Sequence, residues 1–185
     1  MRIILASASP RRQELIKMIT EDITVNPCDC DETIKAGLVG RQIAEYLSEI
    51  KGEAVKTQFK DEIIVSADTI VCLNDNVLGK PKSREDAFNM LRTLSGNTHS
   101  VFTGVTILNG EKKKTFSQET KVTFYDLSDE EINEYIDSDE CYDKAGSYGI
   151  QGKGGLLVKG IDGDYFNVVG LPVARLKREL EEFYI

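Results

Sequence analysis

The sequence has one histidine, four cysteines and no long apolar run, and each shortage excludes a class of protein. No stretch approaches the roughly 20 apolar residues that a bilayer-spanning helix needs. The apolar run at residues 3–6 is too short for a signal peptide, and polar residues follow it at once. His99 has no cysteine or serine placed to complete a catalytic triad. We therefore expect a cytoplasmic protein with no membrane partner.

The four cysteines do not make a recognisable metal site. Cys28 and Cys30 form a C-x-C pair, whereas Cys72 and Cys141 stand alone. Neither a second pair nor a neighbouring histidine completes a zinc site. We expect reduced, structurally incidental thiols.

The net charge of −8 disfavours nucleic-acid binding, which depends on Lys and Arg that neutralise phosphates. It does not exclude a small phosphorylated ligand, since a few basic residues in one cleft are enough to bind a triphosphate.

The 185 residues are 41% hydrophobic, which is typical of one globular domain with a real core, here residues 1–185. Strand and helix patterns alternate and predict a curved mixed sheet with helices packed on its faces. Strands are predicted at residues 2–7, 23–26, 63–65, 70–73, 98–108, 112–125, 155–159 and 165–169. Helices are predicted at residues 10–19, 39–58 and 128–138, between Ser83 and Gly96, and from Pro172 onward. Asn109-Gly110 predicts a hairpin turn.

The first candidate binding segment lies at residues 7–12, where a predicted strand gives way to a helix. Ser7, Ser9, Arg11 and Arg12 would place hydroxyls and guanidiniums beside the N–H groups of the first helical turn. Phosphate binding is one interpretation, and a helix cap followed by two solvated arginines is the other.

Asp68 is the second candidate, because it separates two apolar runs and is predicted to lie at a strand end. Such a carboxylate, beside Ser66 and Thr69, suits Mg²⁺ binding or the activation of water. The alternative is an aspartate that caps a turn. A haloacid-dehalogenase site needs a second aspartate two residues away, where Ser66 stands.

Two further segments carry weaker signals. Pro81 favours an extended backbone at Lys80, whose ammonium suits the binding of a phosphate. The alternative is a solvent-exposed lysine without a ligand, which is the usual role of an isolated lysine. The glycines of residues 143–155 indicate either close approach to a ligand or a loop with unusual dihedral angles. Gln151 in that segment carries the donor and acceptor that reading a base edge requires.

Taken together, these segments resemble the Maf family of nucleotide pyrophosphatases. The matching stretches follow the family's order over nearly the whole chain: residues 5–12, 66–71, 79–81, 94–96, 143–152 and 167–172. Any one of them is weak evidence, but the ordered set is specific.

The resemblance implies an elongated α/β fold like that of inosine triphosphatase, with a cleft between two lobes and often a homodimer. It also implies hydrolysis of a nucleoside triphosphate between the α and β phosphates, dependent on Mg²⁺ or Mn²⁺. The pattern is that of the dTTP/UTP branch rather than the 7-methyl-GTP branch.

The family pattern assigns roles to nine positions of this sequence. Asp68 is similar to the proton acceptor and, with Glu32, to the metal-binding acidic residues. Positions that sort substrates correspond to Arg11, Thr69 and Gln151, and positions that contact phosphate correspond to Ser7, Arg12, Lys51 and Lys80. A nucleotide-sensing or division-regulating protein without turnover is the rival hypothesis, and pyrophosphate release separates the two.

Overall fold

The computed structural model describes residues 2–59, 61–74 and 76–184. Within these residues seven strands belong to one sheet: β1 (Ile3–Leu5), β2 (Ile23–Val25), β3 (Ile63–Leu73), β4 (Asn76–Leu78), β5 (Thr98–Asn109), β6 (Lys112–Phe124) and β7 (Val158–Asp162). Their order is β2-β1-β3-β5-β6-β7, and β4 pairs with β3. β1 runs parallel to β2 and β3, whereas β4 and β7 are antiparallel to their partners. The predicted mixed sheet is confirmed.

The α-helices of the described residues lie between or after these strands in the sequence: α1 (Pro10–Ile16), α2 (Arg41–Lys56), α3 (Arg84–Leu94), α4 (Asp129–Ile136), α5 (Tyr165–Val169) and α6 (Val173–Leu180). Short 3₁₀ helices cover Ala145–Ser147, Gly152–Leu157 and Glu181–Phe183. Among the residues described, none of the helices combines the length and the apolar composition of a membrane span.

Serine caps start three of the helices where the sequence predicts them. The hydroxyl of Ser9 accepts an N–H of the first turn of α1, and Ser83 accepts the N–H of Asp86 at 3.1 Å. At α4 the capping box is complete, since Ser128 accepts from the Glu131 N–H while the Glu131 carboxylate accepts from the Ser128 N–H. These local bonds satisfy donors that a helix start otherwise leaves unpaired.

Two predicted strands near the C-terminus are wrong. Residues 155–159 mostly belong to the 3₁₀ helix Gly152–Leu157, and β7 begins only at Val158. Residues 165–169, predicted as a strand because of their valines and aromatics, form α5. The Asp164 carboxylate accepts the Phe166 N–H at 2.8 Å, and the buried Asn167 amide donates to the Val101 carbonyl at 3.0 Å. These contacts outweigh the local β preference.

The chain divides into two compact units, each with its own core. Unit 1 comprises Met1–Asp68, Thr103–Gln118 and Gly170–Ile185, and unit 2 comprises Thr69–Phe102 and Glu119–Val169. One core cluster of unit 1 contains Ile4, Ala6, Val55, Ile64 and Leu108. The larger cluster of unit 2 includes residues from α3, α4, β5 and β6.

A buried aromatic group in the core of unit 2 contains the single histidine. His99 is only 2% exposed, and its ring packs edge-on against Phe124 and Tyr148. Its Nε2 is 2.7 Å from the Tyr148 hydroxyl, whereas its Nδ1 has no hydrogen-bond partner among the described residues. Burial lowers the pKa of His99 from 6.5 to about 4. The histidine is therefore a neutral core residue at pH 7.

Acid should destabilise the protein through this histidine. Between pH 6.5 and about 4 the unfolded chain binds a proton at His99 that the folded chain does not. The free energy of unfolding should therefore fall as the pH drops, by roughly 3 kcal/mol over that window, and this contribution should stay constant below it. Denaturant midpoints measured from pH 7 to pH 4 for the wild type and His99→Gln check this. Both proteins share all other titrating groups, so parallel curves would contradict the assignment.

Candidate functional site

The segment after β1 folds back on itself around a serine and an arginine. The Ser7 hydroxyl, nearly buried, accepts from the Ser9 N–H and from Arg12 Nη1, both at 3.3 Å. Arg12 Nε also donates to the carbonyl of Gly170 at 2.8 Å. The guanidinium is therefore anchored by backbone and hydroxyl oxygens, and is not the solvated side chain of the alternative interpretation. Gly170 has a φ of 130°, a backbone conformation that other residues rarely adopt.

Asp68 lies inside a strand and not at a strand end, which corrects the sequence interpretation. β3 continues for 11 residues, because residues 66–69 stay extended between the two apolar runs. The pairing with β1 nevertheless stops at Leu5 and Val65, three residues before Asp68. The Asp68 carboxylate thus lies just beyond the carboxyl end of β1, the parallel neighbour of β3. In open α/β sheets, ligand sites form beyond the carboxyl ends of the strands.

A lysine of α2 forms ion pairs with two carboxylates, one of which is that of Asp68. Lys51 Nζ lies 2.5 Å from Asp68 Oδ1 and 3.0 Å from Glu32 Oε2. The side chains of Lys51 and Asp68 are each 13% exposed, whereas that of Glu32 is 54% exposed. Burial acts to lower the pKa of Lys51, but the charge of Asp68 and the hydrogen bonds to Asp68 and Glu32 outweigh it, so the pKa is raised. The lysine therefore stays charged at neutral pH.

The arginines contribute to the same electrostatic environment. Burial lowers the pKa of Arg12, with Arg11 acting in the same direction, while Asp68 and Glu32 oppose the shift. Unit 1 thus brings together Arg12, Lys51, Asp68 and Glu32, with Arg11 within Coulombic range. The guanidinium and the ammonium are both fixed by hydrogen bonds and suit the binding of a polyphosphate. The carboxylate beside them suits the binding of a water molecule.

The remaining predicted positions belong to unit 2. Lys80 and Gln151 are exposed, and Thr69 follows Asp68 in β3. The loop of Lys80 is tied to the glycine-rich segment, because the Gly146 N–H donates to the carbonyl of Gly79 at 3.0 Å. Their roles in substrate and phosphate binding stay predictions.

Loop geometry explains several of the glycines in the segment 143–155. Gly146 and Gly152 have φ values of 68° and 67°, which side-chain-bearing residues rarely adopt. A Cβ at Gly154 would lie 2.1 Å from the carbonyl oxygen of Gly149, so the loop closes on itself there. Unusual dihedral angles thus account for Gly146 and Gly152, whereas close approach of the backbone within the loop accounts for Gly154.

None of the four cysteines, all of which lie in the described residues, forms a disulfide bond. Cys28 Sγ lies 2.7 Å from Cys30 Sγ, and burial together with that neighbour raises the pKa of Cys28 to about 12. Throughout the described ranges, no group of three or more His, Cys, Asp or Glu side chains is placed to hold a metal ion by itself.

Residue chemistry alone assigns no role to two glycines that lie next to the site residues. Gly170 anchors Arg12 through its carbonyl, and Gly52 follows Lys51 at a buried position of α2. A glycine inside a long amphipathic pattern was the available signal, because it costs helix stability and so requires a reason.

The fold is that of a class of mixed α/β proteins that solved structures also represent. The chain is similar to a HAM1 protein from Coxiella burnetii, with a TM-score of 0.53, 14% identity and coverage of 98% of this chain and 99% of that one. A Ham1 protein from Staphylococcus aureus gives a TM-score of 0.51 at 18% identity, over 68% of this chain and 73% of that one. At these identities the likeness concerns the fold.

The sequence comparisons identify the family. A family model described as Maf-like protein matches residues 2–183, and the chain belongs to the Maf family. A relative from Carboxydothermus hydrogenoformans, named dTTP/UTP pyrophosphatase, is 52% identical over 99% of each chain. Another of that name, from Bacillus cereus, is 48% identical over 100% of this chain and 96% of its own. The predicted family is confirmed.

Proposed function

We propose that this protein hydrolyses dTTP and UTP to the monophosphate and pyrophosphate. Relatives that are about half identical over nearly their whole length carry that activity in their names. The observation that carries the proposal for this chain is the pairing of Lys51 Nζ with Asp68 at 2.5 Å and Glu32 at 3.0 Å, beside the anchored Arg12. A carboxylate next to fixed cations is what attack by water on a polyphosphate requires.

Asp68 is the proposed proton acceptor. Lys51 donates to its Oδ1, so the water would be bound at Oδ2 and directed at the α phosphorus. Lys51 and Arg12 would neutralise the phosphate oxygens, and Lys80 is a further proposed phosphate contact. Pyrophosphate gains negative charge as it departs, so these cations are expected to act more strongly on the transition state than on the bound substrate.

Glu32 and Asp68 are the proposed ligands of Mg²⁺ or Mn²⁺. Both are oxygen donors that reach one ammonium group, and such ions are commonly held by one or two carboxylates together with substrate phosphates. When bound, the ion supplies further neutralisation of the phosphates. Ser7 would add a hydroxyl donor next to Arg12, and Arg11, Thr69 and Gln151 would sort the substrates.

Product analysis tests this proposal. The protein is incubated with dTTP, UTP, dCTP and purine triphosphates in MgCl₂, and pyrophosphate and orthophosphate are measured separately, with a chelated control. We expect pyrophosphate from dTTP and UTP at the highest rates, and none in the chelated sample. Release of orthophosphate, or binding of these nucleotides without turnover, would overturn the proposal, and the second result would favour a sensor.

A further inference from the structure

The middle of α2 contains a glycine that the helix itself does not need. Gly52 is buried and is the single glycine among residues 41–56. A glycine inside a helix costs roughly 1 kcal/mol relative to alanine. We therefore expect a contact outside the helix that leaves no room for a side chain at position 52.

That contact is with Ser66 of β3. A Cβ at position 52 would lie 2.7 Å from Ser66 Oγ and 3.1 Å from Leu108 Cδ1. The hydroxyl of Ser66 is not exposed and is fixed, because it donates to the carbonyl of Ser48 at 2.6 Å. In an α-helix that carbonyl also accepts the N–H of residue 52. The serine is thus bonded to the same helical turn whose glycine makes room for it.

The contact lies next to the two residues of the charged pair. Lys51 directly precedes Gly52, and Asp68 follows Ser66 by two residues in the strand. Side chains two residues apart in a strand point to the same face. The face of β3 that receives α2 at Ser66 is therefore the face from which Asp68 meets Lys51 at 2.5 Å.

We propose that Gly52 and Ser66 are positioning residues, whose size-matched contact sets the depth of α2 against β3 and thereby holds Lys51 on Asp68. This inference depends on the proposed roles of Lys51 and Asp68 in turnover. Adding a methyl group at position 52 forces α2 away from β3, because the serine is fixed by its hydrogen bond. Removing the hydroxyl of Ser66 leaves its Cβ 3.6 Å from the new methyl group, which is ordinary contact, and Leu108 Cδ1 at 3.1 Å is the end of a side chain that can shift by the few tenths of an ångström needed.

Four proteins test the contact: the wild type, Gly52→Ala, Ser66→Ala and the double variant. For Gly52→Ala we expect kcat for dTTP to fall about tenfold or more per folded molecule, since displacement by a fraction of an ångström is costly at a reacting centre. KM should change by less than about threefold, because the cations act mainly on the transition state. Ser66→Ala should lower kcat by about threefold, because α2 loses its hydrogen bond to β3 but meets no clash, and the double variant should have the kcat of Ser66→Ala.

The possible outcomes distinguish a failure of the Gly52–Ser66 contact from a failure of the proposed catalytic site. Wild-type kcat in folded Gly52→Ala, or a double variant as slow as Gly52→Ala, overturns the positioning role. If Gly52→Ala does not fold, the comparison of the double variant with Ser66→Ala decides: equal kcat supports the contact, and a tenfold deficit in folded protein overturns it. Lys51→Met, measured in parallel, reports on the pair alone. Full activity in Lys51→Met would overturn the proposed site itself, whatever Gly52→Ala does.

Discussion

Asp68→Asn is expected to lower kcat for dTTP and UTP by about a hundredfold or more, the usual contribution of a general base. The amide has nearly the same size as the carboxylate but cannot accept a proton from the attacking water. It also removes the anion that Lys51 Nζ meets at 2.5 Å. Pyrophosphate release at saturating substrate measures the effect, and a cooperative thermal unfolding transition confirms that the variant is folded.

Asp61→Asn is the matched control for this substitution. Asp61 is an exposed aspartate of the same unit, and its backbone carbonyl accepts from Asn109 at 3.0 Å, a bond that the side-chain change leaves intact. Its activity should equal that of the wild type. Near-native turnover in Asp68→Asn would exclude Asp68 as the proton acceptor.

Gly104→Ala is expected to have the largest effect on stability. A Cβ at this position of β5 would lie 2.2 Å from the carbonyl carbon and oxygen of Ala44 and 2.5 Å from the Glu45 N. These are backbone atoms of α2, which cannot rotate away as a side chain can. We expect a loss of about 3 kcal/mol or more in the free energy of unfolding, or a failure to fold.

Gly160→Ala provides the comparison, because Gly160 also lies in a strand and a Cβ there would meet nothing within 4 Å. Its free energy of unfolding should stay within about 0.5 kcal/mol of the wild type. Denaturant titrations of both variants measure the difference. Equal midpoints would mean that α2 does not approach β5 as closely as the structure shows, and the position of Lys51 would lose its support.

The elements with local signals could be predicted from the sequence. Ser128 with Glu131 and Asn109-Gly110 act within a few residues, so the pattern contains the whole cause. Residues 165–169 could not be predicted in the same way, because their helix depends on the buried amide of Asn167 and its bond to Val101, 66 residues away. Long-range contacts of this kind leave no periodic signal.

The candidate site, too, could be predicted only in part from residue chemistry. Asp68 and the segment of Ser7 and Arg12 could be selected from residue chemistry, whereas Lys51 and Glu32 came from the family resemblance. What the sequence could not provide is the geometry of the pair. The distance between Lys51 and Asp68 depends on how closely a helix approaches a sheet, and glycines at positions 52 and 104 permit that approach.

Hydrolysis of dTTP in ¹⁸O-enriched water tests the central claim most directly. A water activated by Asp68 and directed at the α phosphorus would place one ¹⁸O atom in dTMP and none in pyrophosphate, as mass spectrometry of the separated products would show. Label in the pyrophosphate would mean attack at the β phosphorus. Labelled orthophosphate with dTDP would mean attack at the γ phosphorus, and either result would contradict the mechanism.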